Sequence, residues 1–149
     1  KMGGNYLNSI LATQDAKQKG FDEAILLDQS GNVSEAPGEN IFLVKNDELI
    51  TPSLSSSALD GITRRSVITL AKDLNLKIRE RKVSKKELKL ADEIFLSGTA
   101  AEITPIIKVD KKKIGSGKVE NITKLFMDTY SDIVMNKNEN YSHWLTTVY

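Results

Sequence analysis

The residue pattern predicts an α/β (α+β) fold, a largely antiparallel sheet with flanking helices, from three observations. Apolar runs at Asn40–Lys45 and Glu48–Thr51 flank Asn46-Asp47, the arrangement of a tight hairpin. Glu93–Ser97 is another apolar run of strand length, and it leads straight into Gly98-Thr99. After Thr63, residues Val67, Leu70, Ala71 and Leu74 recur three or four apart, and Ile122–Val134 repeats that amphipathic pattern, so two helices each have an apolar stripe.

Taken in order, Asn5–Lys19 places Leu7, Ile10, Leu11 and Ala16 at helical spacing, and Gly20 stops the helix. Glu23–Asp28 holds a short apolar run that reads as a buried strand. Gln29-Ser30-Gly31-Asn32 is turn chemistry, and Val33 begins the return strand. Past the hairpin, Pro52–Ser57 is a polar, Ser-rich loop, and the helix from Thr63 turns Arg64, Arg65, Lys72 and Asp73 outward. Leu76–Lys82 alternates as a strand, and Ser84 with Glu87 has the form of a capping box. Ile103–Asp110 with Lys113-Ile114 reads as one more hairpin before the closing helix.

A chain of 149 residues is long enough for one domain with a core, and one domain is expected over 1–149. The net charge is +1 with both signs interspersed, so the basic footprint of a nucleic-acid binder is missing, and no apolar run is long enough for a membrane anchor. There are no cysteines and one histidine, His143, which excludes disulfides and thiolate or imidazole metal clusters. A cytoplasmic protein without metal, nucleic-acid or membrane partners is the expectation.

Four short motifs carry chemistry. Lys1-Met2-Gly3-Gly4-Asn5-Tyr6 sets one amine beside two glycines and a phenol, just before a helix. Ser34-Glu35-Ala36-Pro37-Gly38-Glu39-Asn40 places acids in a turn. Leu59-Asp60-Gly61-Ile62-Thr63-Arg64 opens a helix, where exposed amides and the helix dipole favour an anion. Ser97-Gly98-Thr99-Ala100-Ala101-Glu102 ends a strand in a turn of small residues, which leaves amides free for a second anion.

In this order the four motifs resemble the C-terminal, cofactor-binding domain of the branched-chain amino-acid aminotransferases, fold-type IV (class IV) enzymes that use pyridoxal 5'-phosphate (PLP). The resemblance runs from Lys1 to about Val148. It implies a mixed, largely antiparallel sheet or pseudo-barrel with flanking helices. It also implies transamination of leucine, isoleucine or valine with 2-oxoglutarate, by a homo-oligomer whose partners are small amino acids and 2-oxo acids.

By the same resemblance Lys1 holds the cofactor covalently and then moves a proton at the substrate carbon. Glu35 faces the ring nitrogen, with Glu39 as a structural neighbour, and Tyr6 hydrogen-bonds the ring hydroxyl. Leu59 lies on a ring face. Gly61, Ile62 and Thr63 cradle the phosphate, together with Gly98 and the Thr99 hydroxyl, and the amides of Thr99 and Ala100 receive the substrate carboxylate.

The likeness has departures: Met2 stands where a small residue is more usual, and Glu120 where glycine is common. Because the family's lysine stands at residue 1, the expectation is a piece of a longer protein, without its N-terminal domain and inactive alone. D-amino-acid aminotransferase and aminodeoxychorismate lyase share the lysine, the glutamate and the Gly-Ile-Thr element, but Ser-Gly-Thr-Ala-Ala-Glu argues against both. A folded fragment that does no chemistry is the alternative of another class.

Overall fold

The structure is a computed structural model that describes residues 3–148. Its centre is a five-stranded sheet. Strands β1 (Asn40–Lys45) and β2 (Glu48–Pro52) form the expected hairpin, paired Leu43 to Ile50 and Lys45 to Glu48. Asn46 and Asp47 both take positive φ, 50° and 59°, the left-handed backbone that a two-residue turn matching the strand twist requires. Strand β3 (Lys77–Arg81) runs parallel to β2, reached through helix α2 (Ile62–Asp73). Strand β4 (Glu93–Gly98) lies antiparallel on the other side of β1, and β5 (Glu102–Pro105) follows it, giving the order β3-β2-β1-β4-β5.

The central strands are apolar on both faces because both faces are buried. Ile41, Leu43, Ile50, Ile94 and Leu96 pack with Val33, Val83 and Leu88 on one side. Phe42, Val44, Leu49 and Phe95 pack on the other with Val67 and Leu70 of α2 and with Phe126 and Ile133 of the last α-helix, α4 (Asn121–Val134). Phe42 and Phe95, opposite each other in the ladder, stack at 5.1 Å, and Phe126 continues the row at 5.5 Å from Phe95. Glu93 reaches from β4 to accept the Ile122 and Thr123 amides, so the sheet itself satisfies the first turn of α4. The capping box forms as read, opening helix α3 (Lys85–Leu88).

Elsewhere the structure corrects the sequence reading. The Glu23–Asp28 segment and its return at Val33 are a ribbon with one bridge, Leu27 to Val33, rather than strands. Leu27 is exposed and the Val33 amide bonds the Val83 carbonyl, so although Asp28–Asn32 and Leu26–Ser34 backbone bonds join the two segments, they do not form a regular ladder. The Gly31 turn does form, with Asp28 accepting the Ser30 and Asn32 amides. Arg64 does not face outward: it is 2% exposed, bonded to Glu80 at 2.7 Å and to the Pro52 carbonyl at 3.1 Å. Ser56, in the polar, Ser-rich loop, is nevertheless fully buried within a short 3-10 turn.

The last hairpin divides. Glu102–Pro105 joins β4, while β6 (Lys108–Val109) and β7 (Lys112–Lys113) pair around Asp110, whose φ is 51°. Helix α1 (Leu7–Gln18), entered through a 3-10 turn at Gly3–Tyr6, buries only Ala16; Leu7 is 66% exposed, Ile10 50% and Leu11 65%. Among the described residues its apolar side stays open to solvent. Among the described residues no helix is long and apolar enough to cross a membrane.

Candidate functional site

The site is built around the turn that feeds β1. The Glu35 carbonyl accepts the Leu26 amide at 2.8 Å, and the Ala36 amide bonds the Glu39 carbonyl at 2.8 Å, which folds Pro37-Gly38 into a tight loop. Glu35 is thereby held half-buried with its carboxylate turned across the chain. One of its oxygens, Oε2, accepts the Leu59 amide at 2.9 Å and the Asn40 side-chain amide at 3.1 Å. The same Asn40 nitrogen donates to the Leu59 carbonyl at 2.7 Å, which also receives the Gly61 amide at 2.9 Å.

Tyr6, Glu35 and Leu59 wall one cleft of about 240 Å³, together with Ser9, Gly38 and Asn40. Three of the residues singled out in the sequence, from segments far apart in the chain, thus converge. Leu59 stays 57% exposed at the cleft margin, an apolar side chain left beside a carboxylate.

The two glycine turns press against residues that wall this cleft. A Cβ on Gly61 would fall 2.3 Å from Asn40 Oδ1, an approach that a side chain would block, and one on Gly98 would fall 3.3 Å from the Gly38 carbonyl oxygen, a tight contact. β1 and β4 bring them near each other through the Asn40–Ser97 pair. Gly61 is the N-cap of α2, whose first turn has no side-chain cap and no acidic residue, so its amides are available to an anion. Thr63 is buried and Ile62 78% exposed. Thr99 and Ala100 lie in the exposed turn after β4. None of Gly61, Ile62, Thr63, Gly98, Thr99 or Ala100 lines the cleft itself; they flank it. Lys1, with Met2, lies outside the described residues.

Sequence reading missed Asn40, which binds the acid, the Leu59 turn and the first sheet strand together. The available signal was a lone polar residue opening an otherwise apolar strand. It missed Arg64 as well, whose guanidinium, also 3.8 Å from Asp60, braces the start of α2. As chemistry, the arrangement offers a carboxylate and a phenol across a small cleft, an apolar side chain at its edge, and amide-bearing turns at two corners.

A family model described as amino-transferase class IV matches residues 2–109. The chain is 49% identical over 150 residues to the probable branched-chain-amino-acid aminotransferase of Aquifex aeolicus (strain VF5), a match covering 100% of this chain and 48% of that protein. Among solved structures, the branched-chain aminotransferase of Thermoproteus uzoniensis with norvaline superimposes with a TM-score of 0.95 at 47% identity, over 100% of this chain and 49% of that one. The branched-chain amino acid aminotransferase of Thermobaculum terrenum, solved in its PLP-bound holo-form, gives a TM-score of 0.95 at 42% identity, over 98% of this chain and 48% of that one. The chain spans about half the length of the relatives it matches.

Proposed function

The chain belongs to the class IV aminotransferases, and on that premise we propose that it is the PLP-binding C-terminal domain of a branched-chain amino-acid aminotransferase. The full-length protein transfers the amino group of leucine, isoleucine or valine to 2-oxoglutarate. The observation that carries this reading is the convergence of Tyr6, Glu35 and Leu59 on one cleft, with the Gly61 and Gly98 turns pressed against its Asn40 and Gly38 walls.

The donor set fits the cofactor. PLP supplies an electrophilic carbon and a ring that delocalises the charge developing on the substrate carbon. Glu35 accepts a hydrogen bond from the protonated ring nitrogen and keeps it charged. Its carboxylate is fixed for this by the Leu59 and Asn40 donors. The Tyr6 phenol bonds the ring hydroxyl, and Leu59 packs on a ring face and excludes water. The Ile62 and Thr63 amides with the Thr63 and Thr99 hydroxyls hold the phosphate, Gly61 and Gly98 giving it room. The Thr99 and Ala100 amides orient the substrate carboxylate. The Lys1 amine would be the covalent anchor for the cofactor and the group that moves a proton at the substrate carbon.

The exposed Leu7, Ile10 and Leu11 beside Tyr6 support a site completed by protein surface outside this chain, and hence a homo-oligomeric or at least larger assembly. The expectation of a cytoplasmic setting goes with that reading. The chain alone should transaminate leucine negligibly, because it spans about half the length of the aminotransferases it matches.

Borohydride reduction of the full-length protein with PLP, followed by peptide mass mapping, tests the reading. Label on Lys1, abolished in Lys1→Ala, is expected; label retained in that variant overturns the assignment. Glu35→Gln should lower turnover about 100-fold, as removal of a preorganised charge partner does. Near-normal turnover would move the ring-nitrogen role to another residue.

A further inference from the structure

Asn40 is 5% exposed and opens β1, whose next four residues are buried and apolar. Its side-chain nitrogen meets two acceptors, the Glu35 carboxylate at 3.1 Å and the Leu59 carbonyl at 2.7 Å. Only a group with two N–H donors satisfies both at once, so the nitrogen must face them and Oδ1 must point the other way. Oδ1 then occupies the place where a Gly61 Cβ would sit, 2.3 Å away. Backbone pairing of Asn40 with Ser97 anchors the residue in the sheet. One rigidly held amide therefore touches three parts of the site: the acid, the turn bearing Leu59, and the glycine immediately before the first amides of α2.

Other side chains fail at this position for definite reasons. Serine has one hydroxyl proton for two acceptors. Aspartate brings a second carboxylate against Glu35 and a carbonyl. Alanine leaves the Leu59 carbonyl with the Gly61 amide alone, and Glu35 with one donor fewer.

We propose that Asn40 is a positioning residue for the cofactor: it acts through its neighbours, orienting the Glu35 carboxylate and setting the spacing between that acid and the phosphate-binding turn at Gly61. The inference rests on the function proposed above. Removing Asn40 takes away one of the donors that orient the Glu35 carboxylate, and the Leu59–Gly61 turn loses its bond to the first sheet strand. Ring nitrogen and phosphate are then no longer gripped at one distance.

The test uses full-length protein with Asn40→Ala, Asn40→Asp and Gly61→Ala, measuring PLP affinity by absorbance titration, the absorption spectrum of the bound cofactor and the apo-protein Tm. Each variant should weaken PLP binding about 10-fold or more, the order expected for losing a donor to a charged group. The absorption band or the pH at which it titrates should shift in both Asn40 variants. In the apo protein, Gly61→Ala should lower Tm more when Asn40 is present than in the Asn40→Ala background, since the clash is with Oδ1. Unchanged affinity and spectrum in a variant whose apo Tm alone falls would reduce Asn40 to a structural role and overturn the inference. If Asn40→Ala does not fold, the near-isosteric Asn40→Asp and Gly61→Ala carry the same measurements. Failure of the unmodified protein to bind PLP would sink the functional reading itself, a result distinct from normal binding by both wild type and variants.

Discussion

Helices α1 and α2 are each 12 residues long and both border the candidate site, yet this chain holds only one of them. α2 buries Thr63, Arg64, Val67, Ile68, Leu70 and Ala71 against the sheet; α1 buries Ala16 and turns Leu7, Ile10 and Leu11 to water. Helical spacing of apolar residues marks a face that needs covering, but it does not say whose surface covers it. For α2 the cover is Phe42, Val44 and Phe95 of its own sheet. For α1 it is absent among the described residues, in a chain that spans about half its relatives' length.

The sharpest way to break this contrast is to truncate one leucine on each helix. Leu70→Ala should cost about 2–5 kcal/mol, since it empties a fully packed site. Leu11→Ala in the same 149-residue chain should stay within about 0.5 kcal/mol, as exposed substitutions do. Urea unfolding of the two variants measures both. Equal losses would mean that α1 is already docked on its own chain, and a large Leu11 cost confined to the full-length protein would show the missing cover directly.

A smaller effect probes how α2 is held at its start. Arg64→Ala removes the bonds to Pro52 and Glu80 and should destabilise by about 1–3 kcal/mol; Glu80 is half exposed and can turn to water once unpaired. Thermal melts would check it. Because α2 begins at the Gly61 turn, PLP affinity should fall alongside; unchanged affinity would separate the bracing of the helix from that of the site.

The smallest effect lies at the other end of α2, where the Tyr141 hydroxyl donates to Asp73 at 2.7 Å. Burial first, then the bond and charge of Asp73, push this phenol from 10.0 up to about 12. Above pH 10 the unfolded chain releases a proton that the folded chain keeps. The contribution to stability is therefore full below pH 10 and is lost as pH rises through about 12. Tyr141→Phe should flatten the alkaline limb of a stability-versus-pH curve and lower stability modestly at neutral pH, where the bond to Asp73 is lost. An identical limb in both proteins would place the titrating group elsewhere.

Much of the site was legible because its constraints are local or concern single residue types. Gly61 and Gly98 were readable as members of turns whose amides suit an anion, and the structure adds what each turn packs against: Asn40 Oδ1 for Gly61, the Gly38 carbonyl for Gly98. The Asn46-Asp47 turn and the Ser84–Glu87 capping box follow from backbone preferences and hydrogen bonds a few residues long. Arg64 was misread because a charge on a helix is normally solvated, and only Glu80 and the Pro52 carbonyl, brought in by β3 and β2, make its burial tolerable. Leu27 was misread because a short apolar run does not reveal whether a neighbouring strand will pair beyond one bridge.

By itself the sequence determined the sheet strands from β1 to β4, the helices at Thr63 and Ile122, the family resemblance, and the residue types any cofactor would meet, because spacing, turn chemistry and side-chain chemistry are properties of a few neighbouring residues. Tertiary structure alone decided that Tyr6, Glu35 and Leu59 share one cleft, that Asn40 joins the acid to the Gly61 turn, and that the apolar side of α1 remains uncovered. Those outcomes depend on which surfaces are already filled when distant segments meet, and that competition for space leaves no mark on local spacing.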